Sequence, residues 1–240
     1  MKVLHLFFKR ETAAPMMALT FASAISVAVV IARIVRTGNL EYGFLIWNLF
    51  LAWLPLVFAL LAGDHFRDEG RPTVRFAALA AGWLLFFPNA PYICTDLIHL
   101  TSRFYGHFWV DMVLILMCAF TGIVIGFLSL YLMQSVVARI YGRLVGWIFS
   151  AAATSLASFG IFLGRFLRFN SWDVVVNPTK LYRGVGAWSS QSAYYTGSMA
   201  FPLLFAAFLF IAYLMLYALT QLSPAPHFAS PQAATGAAEA

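Results

Sequence analysis

Two stretches of the chain gather residues able to do chemistry. The first reads Phe87-Pro88-Asn89-Ala90-Pro91-Tyr92-Ile93-Cys94-Thr95-Asp96-Leu97-Ile98-His99-Leu100. A carboxylate and an imidazole three residues apart can serve as acid and base, or contribute to a metal site. On an α-helix of about 100° per residue, Tyr92, Asp96, His99 and Arg103 fall within roughly 60° of one another. The second stretch carries Arg165, Arg168 and Asp173. Two guanidinium groups at a helix end suit the negative end of its dipole, and they also suit a phosphate or carboxylate. Asp96 and His99 are therefore the candidate acid and base. Asn89, Tyr92, Arg103, Arg165, Arg168 and Asp173 are the candidate substrate-binding residues. A plainer reading gives an interfacial helix whose polar face meets water, with Asp96 paired locally to His99 or Arg103.

One Asp and one His are too few ligands for a metal centre, and no metal is expected. The chain holds no C-x-x-C, H-E-x-x-H, G-x-S-x-G or phosphate-binding loop, so no cofactor is expected either. Cys94 falls in a connecting segment and Cys118 in an apolar run, which speaks against a disulfide.

Two more polar residues interrupt apolar stretches. Asn48 stands within Leu45-Ile46-Trp47-Asn48-Leu49. It should sit roughly 10 Å into a helix of 1.5 Å rise per residue. Asp111 follows His107 by four residues. An ionised Asp at mid-bilayer costs about 2.5–3.5 kcal/mol, so a carboxylate just inside a span should have a partner. Both are buried polar candidates, as catalytic neighbours or as glue between helices.

The elements that must position these residues follow from composition. The 240 residues are 62% hydrophobic and only 10% charged, with a mean hydropathy of +0.83. A soluble domain carries roughly 25% charged residues, so this surface must face lipid. Six stretches approach the roughly 20 apolar residues needed to cross a bilayer. They are 15–35, 42–62, 73–87, 108–133, 144–163 and 198–222. Segments such as Leu203-Leu204-Phe205-Ala206-Ala207-Phe208 do not alternate as barrel strands would. The expected fold is an all-α polytopic bundle of about six spans in a single membrane domain, residues 1–222. A short interfacial or re-entrant helix follows the third span, which Pro88 ends. Residues 223–240, rich in Pro, Ala and Ser, read as a disordered tail. The N-terminal apolar run outlasts a signal-peptide core and reads as an uncleaved span.

Glycine pairs at 122/126, 142/146 and 160/164 suit close helix packing within the chain. They also offer faces through which a protein partner or a second copy could dock. The net charge of +6 comes from Lys and Arg placed between spans, which suits membrane lipids as partners and gives no nucleic-acid motif.

An even number of spans puts both termini on one side. Both unusual stretches and the starts of the spans bearing Asn48 and Asp111 then share the opposite side. Basic residues divide almost evenly, eight on the side of the termini against seven. Discounting the long segment after the fifth span puts both termini in the cytoplasm.

The chain resembles the uncharacterised bacterial membrane family known as domain of unknown function 1361. The resembling stretches are Trp47-Asn48-Leu49-Phe50-Leu51-Ala52-Trp53-Leu54-Pro55, Phe87 to Tyr92, Thr95 to Leu100, and Gly160 to Asp173. The resemblance implies a bacterial multi-spanning protein, and the expected location is the inner membrane. It supplies no activity and no site residues.

Three functions fit these features. One is an interfacial site on the extracytoplasmic side acting on a lipid or lipid-linked anionic substrate. The second is a small-molecule or lipid transporter, although the span centres are nearly free of ionisable groups. The third is a structural or assembly protein with no catalytic site.

Overall fold

The chain spends its apolar residues on helices because backbone in hydrocarbon must satisfy its own hydrogen bonds. The computed structural model describes residues 13–102, 108–168 and 196–221, with a few isolated positions between 176 and 186. Every regular element among the described residues is helical. We number them α1 (Ala13–Thr37), α2 (Phe44–Glu69), α3 (Val74–Phe86), α4 (Asn89–Tyr92), α5 (Phe108–Tyr141), α6 (Arg143–Phe166) and α7 (Thr196–Thr220). A 3-10 segment, Ile93–Ser102, follows α4 directly. Arg103, Asp173 and the tail 223–240 lie outside the described residues.

Among the described residues, six helical runs are long and apolar enough to cross a membrane: Ala13–Thr37, Glu41–Glu69, Val74–Leu100, Phe108–Tyr141, Arg143–Phe166 and Ala200–Thr220. The expected bundle of six spans is what the chain forms. α5 is its hub. That helix is the most enclosed of the six, and it packs against α1, α2, α4, the 3-10 segment and α6. α7 lies on α6 at the periphery.

Close backbone approach explains most of the glycine pairs. A Cβ on Gly122 would meet the Ala90 carbonyl oxygen at 2.8 Å, and one on Gly126 would meet the Ala90 Cβ at 2.8 Å. Gly160 stands against Pro88, where a Cβ would come within 3.1 Å of the ring. On Gly146 it would meet Ala138 at 2.9 Å, so α5 and α6 form a tight hairpin. The turn between them is Gly142, whose φ of +92° suits a residue without a Cβ. These four close-packing glycines thus serve contacts within the chain.

The third span differs most from expectation. Pro88 does interrupt the α-helix, since it has no N–H to donate, and α4 lacks a side-chain cap. Asn89 is the first helical residue, with Pro88 in the cap position. The chain nevertheless keeps helical dihedrals through Phe87 and Pro88. It continues as α4 against the middle of α5, then climbs as the 3-10 segment. Ten 3-10 residues rise about 20 Å, roughly what α3 contributes with thirteen α residues. The short helix after span three is therefore the second half of a broken span, with its charged residue turned inward.

Candidate functional site

Helical periodicity changes what the 3-10 segment presents. Residues three apart eclipse in a 3-10 helix, so Ile93, Asp96 and His99 stack along one line. This line faces the protein at its lower end and solvent at its upper end. Ile93 is fully buried, Asp96 is 1% exposed, and the His99 side chain is 45% exposed. Ile98 points outward. The simple picture of a polar face bathing in water fails for Asp96.

Asp96 is satisfied by other spans. Asn48 of α2 donates from Nδ2 to Oδ2 at 2.9 Å. Arg165, near the end of α6, donates from Nη2 to Oδ1 in a short ion pair. Local pairing to His99 is looser, Nε2 standing 3.9 Å from Oδ1. Arg165 is held from several directions. Its Nε and Nη2 donate to Thr95 Oγ1 at 3.0 and 2.8 Å, and its guanidinium lies over the Tyr92 ring at 4.5 Å. Its Nη1 points to His99 Nε2 at 3.3 Å. The Thr95 hydroxyl donates in turn to the Tyr92 carbonyl at 2.7 Å. The His99 ring packs on Phe44 with centroids 5.0 Å apart. Three spans thus converge on one buried carboxylate, and the order from inside to outside is Asp96, Arg165, His99.

Of the expected residues, Asn48, Tyr92, Asp96, His99 and Arg165 come together. Arg168 is exposed just beyond α6, with a positive φ of 55°. Asn89 is half-buried at the level of the mid-span glycines of α5 and, among the described residues, makes no hydrogen bond to the cluster. Thr95 is the member that sequence reasoning missed. A Thr beside an Asp is a weak signal, and only the fold brings Arg165 to its hydroxyl.

Asp111 belongs to a second clasp. Arg33 of α1 grips it with Nε at 2.6 Å and Nη2 at 3.1 Å, a bidentate pair, and the Tyr42 hydroxyl donates to Oδ2 at 3.1 Å. The expected partner came from the neighbouring span, and His107 lies outside the described residues. Arg33 had a legible signal, being a cation inside the end of a span on the same side as Asp111. The clasp ties α1 to the hub. Arg33→Ala is expected to cost about 1.5–3 kcal/mol, the worth of hydrogen bonds to a charged group. Thermal unfolding in detergent would show it, and an unchanged midpoint would remove the clasp from the fold's stability.

Two exposed tryptophans flank the clusters. Trp47 and Trp109 lie on the lipid-facing surface at the starts of α2 and α5, as interfacial aromatics do. Asn48 adjoins the first and Asp111 follows the second by two residues, so both carboxylates lie at the same end of the bundle as these tryptophans. Cys94 and Cys118 are both free thiols. Among the described residues, no group of three or more His, Cys, Asp or Glu side chains could hold a metal ion.

No curated protein and no solved structure matches the chain. A family model described as a protein of unknown function, DUF1361, matches residues 47–215, which covers every member of the Asp96 cluster. Together with the six apolar helices, that match makes the chain an integral membrane protein of the DUF1361 family.

Proposed function

We propose that the Asp96–Arg165–His99 cluster is a site for an anionic headgroup, and that the protein acts there on a lipid or lipid-linked anionic substrate. In this reading the site opens on the extracytoplasmic face of a bacterial inner membrane, with both termini in the cytoplasm. One observation carries it. A guanidinium anchored by a buried carboxylate sends its remaining arm to a half-exposed imidazole at the level of the interfacial tryptophans. A cation needed only to neutralise Asp96 has no use for that imidazole. Exposed Arg168 lies three residues further along the chain and adds positive charge on the same side. Arginine and histidine suit the oxygens of a phosphate ester.

In this reading the roles divide. His99 is the group that can exchange a proton with a bound headgroup. Asp96, sealed behind Arg165, is a positioning residue that holds the guanidinium. Tyr92 and Thr95 fix its plane from two sides.

The test is titration of the purified full-length protein with dihexanoyl phosphatidylglycerol, with the phosphatidylcholine analogue as control. Saturable binding of the anionic lipid alone is expected, weakened at least tenfold (about 1.4 kcal/mol) in Arg165→Lys. Equal response to both lipids would overturn the reading. A reporter fused to the C-terminus should be active only if it is a cytoplasmic one.

The broken third span favours a second reading, a transporter of a small molecule or lipid, because discontinuous helices line many transport sites. Scrambling of labelled phosphatidylglycerol in reconstituted vesicles, above empty vesicles, would support it over the first.

A further inference from the structure

The contact between Arg165 and His99 fixes a protonation state. Arginine can only donate. The His99 Nε2 that stands 3.3 Å from Arg165 Nη1 must therefore be the acceptor. Such a nitrogen carries no proton, so the imidazole is neutral, with its hydrogen on Nδ1. The resting cluster then sums to zero: one negative charge on Asp96, one positive charge on Arg165 and none on His99.

Adding an anion to that neutral cluster would leave one uncompensated negative charge close to the buried Asp96 carboxylate. A proton on His99 Nε2 removes the imbalance. It also removes the acceptor that occupies Nη1, so two donors come to face each other. They can share an oxyanion placed between them. The imidazolium keeps a counter-charge behind it, because Asp96 Oδ1 is already 3.9 Å from the same nitrogen. Nothing in Asp96's own bonds to Asn48 and Arg165 Nη2 has to break.

We infer that the site is proton-coupled: a singly charged phosphate ester or comparable oxyanion binds between Arg165 and His99 together with one proton from solvent, which ends on His99 Nε2. The inference rests on the headgroup reading above and adds its regulation by pH. Among the described residues, the acidic groups packed against the cluster are already paired. On its own run Asp96 is already matched by Arg165, and the Tyr92 ring is covered by the guanidinium. α2 contributes the uncharged Phe44 and Asn48. α5 contributes Cys118 near Asp96, while its Asp111 is held by Arg33 and Tyr42. α6 contributes Arg165 itself, and Arg168 follows it.

Calorimetric titration of the full chain in detergent tests this, using two probes whose charge is constant above about pH 5. Dihexanoyl phosphatidylglycerol supplies a lipid phosphodiester and methyl sulfate supplies a free oxyanion of the same single charge. Repeating each titration in buffers of different ionisation enthalpy counts the protons taken up. About one proton per anion is expected near neutral pH, with affinity rising by up to about tenfold per pH unit of acidification until the imidazole is protonated in the free protein. Response to the phosphodiester alone makes the ligand a lipid, and response to both makes it any accessible oxyanion; either supports the coupling if the proton is counted. Both the count and the pH dependence should vanish in His99→Gln, a change at a half-exposed position. Binding without proton uptake would overturn the coupling and leave the headgroup site standing. Uptake that survives in His99→Gln but is lost in Asp96→Asn would place the proton on Asp96 and refute the assignment. Absence of binding by either probe would overturn both the site and its coupling.

Discussion

Arg165→Ala is expected to cost about 3–5 kcal/mol of folded stability, the scale for removing one partner of a buried ion pair. The size follows from what remains. Asp96 is 1% exposed, and without the guanidinium its charge keeps the Asn48 amide and the looser approach of His99 at 3.9 Å. Thr95 loses its two donors and Tyr92 the cation on its ring. The Arg165 side chain is itself only 14% exposed, so solvent screening discounts the figure little. Unfolding by graded denaturing detergent, followed by tryptophan fluorescence, would measure the loss. The companion variant separates charge from packing. Asp96→Asn on the Arg165→Ala background removes the orphaned charge and keeps the shape, so it should recover a large part of the stability. A double variant as weak as the sum of the singles would mean that the two residues are not coupled.

That coupling shows where sequence reasoning reached and where it stopped. Hydropathy alone yields the bundle, because a polar surface cannot be built from so few charged residues. Parity of the spans then places the Asp96 stretch and the Arg165 stretch at one face, and the two do meet. Local spacing was less informative. The α-helical pattern of Tyr92, Asp96, His99 and Arg103 suggests pairing within the segment. The real partners of Asp96 are 48 and 69 residues away. Two prolines in four residues interrupt α-helical hydrogen bonding, and the chain answers with a ten-residue 3-10 run, longer than propensity would suggest. The shift from 3.6 to three residues per turn sends Asp96 inward while His99 reaches the surface. Periodicity read at the wrong pitch cannot reveal this. Arg33 and Asp111 were each visible as charges near span ends, but their pairing needed the packing of α1 on α5.

Placement of the 3-10 segment depends on a contact far from any charge, and that contact gives the second large effect. Gly122 and Gly126 form the floor on which α4 rests. A methyl group at Gly122 would press the backbone oxygen of Ala90 at 2.8 Å and the Ile93 side chain at 2.9 Å. A side chain can turn aside, but a carbonyl in a short helix moves only with its helix. Gly122→Ala should therefore cost about 1–3 kcal/mol, the usual penalty for overpacking. Gly122→Leu should prevent the fold, since α4 cannot lift without carrying the next residues with it. Those residues include Asp96, which lies one 3-10 turn beyond Ile93. Lifting α4 moves its carboxylate relative to Asn48 and Arg165, so Gly122→Ala should also weaken anion binding even where the protein stays monodisperse. Gly63→Ala is the matched control. It too replaces a helical glycine, but its Cβ would meet nothing within 4 Å. Relief of backbone entropy should leave that variant neutral or more stable by about 0.5–1 kcal/mol. If both alanine variants unfold at the same denaturant as the parent, the close approach of α4 to α5 is not what seats the carboxylate. If Gly122→Ala is destabilised but binds anion as tightly as the parent, Asp96 is seated by its polar partners alone. Loss of both stability and affinity at Gly122, with neither lost at Gly63, is the outcome that ties the glycine floor to the charged site roughly one helical turn above it.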